Sequence, residues 1–245
     1  MFNQLEILSD EQSEKLYTIR RYIKNLESVC IAYSGGVDST LVASLAFEQL
    51  GSKAIAITGI SPALANTLRE EARRQAKWIG VKHLEIKTSE LDQSSYSKNP
   101  KDRCFACKKE LHKHTTYLSK KLNYKIVLDG VNLDDLKDYR PGIQASKQAG
   151  VISPLAKFKV SKQDIRDISR ALGFPWWDKP AQPCLSSRFP YGHEITSERL
   201  KMVEKAEEYL KEGGLSEVRV RCQGSTARIE TVSYTHLRAH ETCGH

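Results

Sequence analysis

The segment Ser34-Gly35-Gly36-Val37-Asp38-Ser39-Thr40 carries the residue types of an anion cradle. Glycines at 35 and 36 let the backbone approach an oxyanion with no Cβ in the way. Consecutive N–H groups at a helix start then face the negative charge. Ser34, Ser39 and Thr40 add hydroxyl donors. Asp38 is placed to hold Mg2+, a hard cation that prefers carboxylate and phosphate oxygens. The segment does not follow G-x-x-x-x-G-K-S/T, so it supplies no lysine of its own to a terminal phosphate.

A second set of reactive residues is sulfur-bearing. Cys104-Phe105-Ala106-Cys107 is a C-x-x-C, and Cys184 lies far downstream in Pro183-Cys184-Leu185-Ser186-Ser187-Arg188. Three chemistries fit these residue types. Three thiolates can hold a 4Fe–4S cluster whose fourth iron is open to an extra sulfide. They can hold structural zinc with His112 or His114 as fourth ligand. Alternatively, Cys184 is a thiolate nucleophile with the C-x-x-C as its redox partner. Arg103, Lys108 and Lys109 are expected to lower the thiol pKa values, which does not separate the three. Cys30, inside an apolar run, reads as core. Cys222 reads as incidental.

The elements that must position these groups follow from periodicity. Leu16, Ile19, Ile23 and Leu26 mark an amphipathic helix. Val29 to Tyr33 reads as a buried strand entering the glycine turn. Leu41–Leu50 reads as a helix, Lys53–Ile60 as a strand, Pro62–Ile79 as a helix closed by Gly80, and His83–Thr88 as a strand. After a polar loop over 89–103 come a helix over Phe105–Leu122 and a strand over Lys125–Leu128, leading into Asp129-Gly130. Such alternation predicts an α/β fold: a parallel sheet with helices on both faces. Further on, Asp134 to Gly142 reads as a polar loop and Ser161–Leu172 as a capped helix. Prolines at 180, 183 and 190 keep Trp176–Gly192 irregular. Ser197–Lys211 reads as a helix, and Val218–Arg221 with Ala227–Ile229 as a hairpin.

The chain is expected to divide near residue 165, with a smaller C-terminal α+β element over 166–232. The last residues, 233–245, continue neither periodicity and read as a non-native tail replacing part of that element. Cys243, His240 and His245 therefore enter no metal site.

The 245 residues are 40% hydrophobic and 28% charged, a globular composition. The net charge of 38 − 30 = +8 suits a polyanionic ligand. No apolar run approaches the ~18–20 residues of a membrane span. The first ten residues are not a basic-then-apolar leader, so a cytoplasmic location is expected. No basic domain interleaved with aromatics is visible, which argues against a nucleic-acid partner.

The glycine segment resembles the PP-loop signature S-G-G-x-D-S-S/T, which implies cleavage of ATP between its α- and β-phosphates. Four further segments sharpen the resemblance: D-R-C-F-A-C-K-K-E-L (102–111), L-D-G-V-N-L-D-D-L-K-D-Y-R-P-G (128–142), W-D-K-P-A-Q-P-C-L-S-S-R-F-P-Y-G (177–192) and V-R-V-R (218–221). Together they resemble the LarE-type ATP-dependent sulfur transferases. The resemblance implies ATP, Mg2+ and a small nucleotide substrate, pyridinium-3,5-dicarboxylate mononucleotide. A carboxylate of that substrate would be adenylylated and made a thiocarboxylate, on the way to the nickel-pincer cofactor of lactate racemase. It implies homo-oligomers, and partners among other proteins making that cofactor. With Cys104, Cys107 and Cys184 all present, it implies the 4Fe–4S version.

On this reading Gly130 and Asp134 line the nucleotide site. Asp134 and Asp135 ligate Mg2+ or orient Arg140. Arg140 and Arg188 supply charge to departing pyrophosphate. Arg219 and Arg221 alternate with valines, so both point to one strand face, where they could bind the substrate phosphate. One of Trp176 and Trp177 could stack on the pyridinium ring, the other packing in the core. Rival activities are tRNA thiolation, ammonia-using amide ligation and non-catalytic nucleotide sensing.

Overall fold

Strand β1 (Val29–Ala32) is apolar at every position because both of its faces are covered. The computed structural model describes residues 2–215 and 217–231. The expected tail beyond 233, with Cys243, lies outside them. In chain order the elements are helix α1 (Asp10–Lys24), β1, α2 (Val37–Leu50), β2 (Ala54–Ile60), α3 (Asn66–Ile79), β3 (Lys82–Lys87), α4 (Ser94–Ser97), α5 (Arg103–Lys121), β4 (Ile126–Leu128), α6 (Pro141–Gln148), α7 (Pro154–Lys157), α8 (Lys162–Ala171), α9 (Ser197–Glu212), β5 (Val218–Gln223) and β6 (Thr226–Thr231).

β1 to β4 form one parallel sheet in the order β3-β2-β1-β4, and β5 pairs antiparallel with β6. The chain winds outward from β1 to β3, then returns to lay β4 on β1's other side. The switch point therefore falls between β1 and β4, where open α/β sheets bind ligands beyond their strand ends.

Alternation decides which side chains meet which helices. Val29, Ile31, Ala56 and Leu128 face a core shared with α1, α2 and α8. Cys30, Ile55, Ile57 and Val127 face the other way, toward Leu118 of α5 and Tyr124. Cys30 is fully buried, as its apolar neighbours suggested, and burial pushes its thiol up to about 11. Ile168, Leu172 and Phe174, beyond the boundary expected near 165, pack into the first core together with Ile165. A third cluster joins Ala63, Tyr96 and Ala106 to Leu185, Phe189, Ile195, Leu200, Val203 and Cys222. It ties the cysteine loop to the segment after β2 and to α4 and α5.

Local chemistry sets the helix ends. Ser9 with Gln12, and Ser161 with Asp164, form capping boxes on α1 and α8. α3 starts at Asn66, not near Pro62, because Ala63 gives its carbonyl to the Leu185 N–H (2.9 Å). α5 starts two residues earlier than its periodicity suggests, at Arg103, and the preceding polar stretch contains α4.

Candidate functional site

The glycine turn and the helix start after it have the backbone the sequence predicts, with one change of detail. α2 begins at Val37, so Asp38, Ser39 and Thr40 occupy its first turn. Gly36 is the N-cap and offers no side-chain acceptor. The helix's leading N–H groups are thus left for a ligand. Gly35 has φ +72°, and a Cβ there would meet Cα and Cβ of Ala72 at 3.0 Å. Ser39 Oγ takes a hydrogen bond from the Ser34 N–H (3.2 Å), lies 3.1 Å from Ser34 Oγ, and donates to the Gly36 carbonyl (3.1 Å). These bonds hold the turn open. Thr40 differs. It is fully buried, and its hydroxyl donates to Gln75 Oε1 at 3.0 Å, so it anchors the helix to α3.

Gly130 closes the cradle from the β4 side. A Cβ at 130 would lie 2.6 Å from the Ser39 nitrogen and 2.9 Å from its Cα. No side chain fits between these two backbones. The preceding Asp129 is 2% exposed and accepts from Ser153 Oγ (2.6 Å) on Oδ1, while its buried Oδ2 has no protein partner among the described residues.

An acidic turn overlies the loop. Asn132 Oδ1 accepts from the N–H groups of Asp134 (2.9 Å) and Asp135 (3.1 Å). Asp134 Oδ2 in turn accepts from the Lys162 N–H at 2.8 Å, so it caps α8. That bond, with Lys137, lowers its pKa. Asp135 pairs with Arg140 Nη1 at 2.6 Å. Burial raises the Asp135 pKa, against the pull of the Asn132 N–H and Arg140. The residue that periodicity did not single out is Lys162. Its Nζ lies 2.7 and 2.8 Å from the two carboxylate oxygens of Asp38.

Mg2+ commonly takes one or two carboxylates and completes its shell with phosphates and water. Asp38, already facing a cation, fits that need. No group of three or more His, Cys, Asp or Glu is disposed to hold a metal ion by itself among the described residues.

The cysteine loop is pinned from four directions. Leu185 donates to Ala63, Ser186 Oγ shares a 2.6 Å hydrogen bond with the Tyr96 hydroxyl, Asn99 Nδ2 donates to the carbonyls of Phe189 and Pro190, and Arg221 donates to the Ser187 carbonyl at 2.8 Å. Arg188 is 4% exposed. It grips Glu207 with Nε (2.8 Å) and Nη2 (3.1 Å), and its Nη1 reaches the carbonyls of Pro183 and Cys184. This geometry gives Arg188 the task of shaping the cysteine loop, with Nε and both Nη groups already engaged.

Cys104, Cys107 and Cys184 are free thiols, and the first two feel the charge of the third. The flanking cations act as expected but lose. Desolvation pushes Cys107 up to about 12, with Glu90 adding to the rise and Lys108 opposing it. Cys104 is also raised, chiefly by desolvation, against Arg103, Lys108 and Arg140. Arg140, acting on both Asp135 and Cys104, links the acidic turn to the thiol side.

Next to the cysteine loop is a cleft of about 420 Å³ lined by Arg103, Ser187, Arg188, Phe189, Pro190, Tyr191, Arg221, Gln223 and Arg228. Arg221 keeps one hand on Glu230 (2.7 Å). Arg219, on the same strand face, reaches the Ala181 carbonyl (3.3 Å) and does not line the cleft. Arg103 lies against the Tyr191 ring, 5.3 Å from its centre.

The tryptophans serve elsewhere. Trp176 packs on Trp78 and Phe174, and Trp177 meets Arg170. The histidines considered for zinc are also engaged: His112 Nε2 lies 2.8 Å from Ser146 Oγ, and His114 Nε2 lies 2.7 Å from Glu110.

His112 is fully buried, and burial lowers its pKa from the ordinary 6.5 to about 4. The unfolded chain thus takes up a proton that the folded one refuses. The associated stability is full above pH 6.5 and is lost as pH falls toward 4. Between pH 7 and 4.5 the loss is expected to be about 2 kcal/mol. Urea unfolding of wild type and His112→Gln at both pH values checks it: the wild type should lose that much more than the variant.

Among known proteins, the asparagine synthase family model matches residues 18–130. An uncharacterized protein of Synechocystis sp. is 54% identical over 216 residues, covering 88% of this chain and 81% of that protein. The pyridinium-3,5-bisthiocarboxylic acid mononucleotide synthase of Lactiplantibacillus plantarum is 33% identical over 217 residues, covering 88% of this chain and 79% of its own. An uncharacterized protein of Methanocaldococcus jannaschii is 35% identical over 212 residues, covering 86% and 80%. No helix among the described residues is long and apolar enough to cross a membrane.

Proposed function

The chain belongs to the LarE-like family of PP-loop ATP pyrophosphatases, and from that premise we propose that it converts a carboxylate of pyridinium-3,5-dicarboxylate mononucleotide into a thiocarboxylate, as a step toward the nickel-pincer cofactor of lactate racemase. One observation carries the reading: Cys104, which feels the neighbouring thiol Cys184, also lies within electrostatic reach of Arg140, whose partner Asp135 senses Asp38 in the first turn of α2. An activated carboxylate made at the cradle would have sulfur beside it.

A carboxylate is a poor acyl donor, so it must first gain a leaving group. Its oxygen attacks the α-phosphorus of ATP. That O–P bond forms as the bond to the β-phosphate oxygen breaks, and pyrophosphate leaves with the electron pair. The first-turn N–H groups of α2 would hold the phosphates, and Ser34 and Ser39 would shape the turn around them. Asp38 would hold Mg2+, which supplies charge to the departing pyrophosphate. Arg140 would stabilise the same charge from the acidic turn. Sulfur then adds to the acyl carbon, and AMP leaves with the other electron pair. Arg221, in the arginine-lined cleft, would take the substrate's own phosphate.

The family resemblance implies a 4Fe–4S cluster on Cys104, Cys107 and Cys184, whose open iron would supply the transferred sulfide, although the three thiols do not stand as a metal-holding group in the described residues. Arg188 acts here as a positioning residue, through the backbone at Pro183 and Cys184.

The test is anaerobic purification followed by turnover with ATP, Mg2+ and the mononucleotide. The expected result is a coloured protein holding iron and acid-labile sulfide, and a product in which one oxygen is replaced by sulfur. A colourless protein whose Cys184 loses hydrogen sulfide during turnover would put the sulfur on Cys184 instead. No sulfur-containing product under either condition would end the sulfur-transfer reading.

A further inference from the structure

We infer that Lys162 is the resident cation of the nucleotide site: it holds the metal's place on Asp38 while ATP is absent, and must leave before the metal–nucleotide complex is gripped. The inference rests on the ATP reading above and concerns how that site is kept ready.

The contact is symmetric. Lys162 Nζ sits 2.7 Å from one Asp38 carboxylate oxygen and 2.8 Å from the other. A cation shared by both oxygens fills the notch that Asp38 would offer to Mg2+. The two residues are 124 apart in sequence, so the pairing is a product of the fold.

The two ends of Lys162 are held very differently. Its backbone opens α8, with the N–H fixed on Asp134 Oδ2 at 2.8 Å, and the helix behind it is anchored by fully buried Ile165 and Ile168. The side chain beyond is 33% exposed, and that of Asp38 is 26% exposed. A partly solvated lysine–carboxylate pair is weakly held. A divalent ion arriving with phosphates displaces it readily, because hard oxygen ligands favour the smaller, doubly charged cation.

The displaced ammonium does not go far. Its flexible four-carbon stem turns about a fixed helix start beside the cradle, so it can meet the phosphates that displaced it. The loop itself contains no lysine, and Lys162 would supply that charge from another element. Asp38 is thereby charge-paired by Lys162, and a bare metal ion must compete with a tethered cation. Metal and nucleotide are then favoured together over metal alone.

The experiment compares wild type, Lys162→Met and Asp38→Asn. It measures Mn2+ binding to nucleotide-free protein by electron paramagnetic resonance, and Mg2+-dependent binding of α,β-methylene-ATP by calorimetry. Lys162→Met is expected to bind Mn2+ about tenfold tighter and the nucleotide about tenfold more weakly, the size of one charge-assisted contact. Asp38→Asn should lose the Mn2+ site, which places the ion. Near-ultraviolet circular dichroism checks that the variants remain folded. If Lys162→Met matches wild type in either measurement, the placeholder role is overturned while the ATP reading stands. If wild type itself binds no Mg2+–nucleotide, both fall.

Discussion

Gly130→Ala is expected to weaken ATP binding by about 100-fold or more, because it forces apart two backbones that the nucleotide must find together. The added Cβ would lie 2.6 Å from the Ser39 nitrogen, 2.9 Å from its Cα and 3.0 Å from the Asp38 carbonyl carbon. All three are main-chain atoms in the first turn of α2, so no rotamer change relieves the clash. Either β4's exit or the cradle must move, and the N–H groups would no longer converge on one phosphate position. The comparison is Gly150→Ala. Gly150 has φ +70° but nothing within 4 Å of its missing Cβ. That change should cost about 1 kcal/mol of stability for the left-handed backbone and leave nucleotide affinity alone. Calorimetry with Mg2+–ATP separates the two, and equal affinities would remove Gly130 from the site.

Arg188→Met should cost about 3–5 kcal/mol of stability, the penalty for stripping one partner from a buried ion pair. Arg188 and Glu207 have side-chain exposures of 4% and 5%. Glu207 also accepts from the Val220 N–H at 3.0 Å, so one carboxylate joins α9, β5 and the cysteine loop. Removing the guanidinium leaves that charge unpaired and frees the carbonyls of Pro183 and Cys184. The functional effect should be split. Carboxylate-dependent pyrophosphate release should continue, since the cradle is built from α2 and β4, while formation of the sulfur-containing product should collapse with the geometry at Cys184. A second change, Glu207→Leu, should recover part of the stability but none of the sulfur transfer, because the two carbonyls stay without their donor. Pyrophosphate release falling in step with product would move Arg188 into the nucleotide chemistry.

The sheet and the cradle were legible because local signals agreed there. Val29 to Tyr33 is apolar without a break, the glycines follow at once, and an apolar helix comes next. The strand order was not legible beyond its parallel sense, since the return of β4 beside β1 is set by packing. α6 and α7 carry too few residues for a periodic signal. Each begins with a proline that reads equally as a loop.

Side-chain partnerships across the sequence were the least visible part of the site. Lys162, at the head of a polar-faced helix, looks like any surface lysine until the fold brings Asp38 to it. Arg188 sits in a motif that suggests chemistry, yet its partner Glu207 is one of several acidic residues on a charged helix, and nothing in the sequence marks it as buried. Thr40 resembles its hydroxyl-bearing neighbours in the cradle, but the helix turns it toward Gln75. The thiols show the same limit: basic neighbours can be counted in the sequence, whereas the desolvation that outweighs them at Cys107 needs the packed structure.

The most direct test of the account is isotope exchange between pyrophosphate and ATP, run with and without pyridinium-3,5-dicarboxylate mononucleotide. Reversible formation of an acyl-adenylate requires label to enter ATP only when the mononucleotide and Mg2+ are both present, and Asp38→Asn should abolish it. Release of inorganic phosphate with ADP, or no exchange under any of these conditions, would contradict cleavage between the α- and β-phosphates at this cradle.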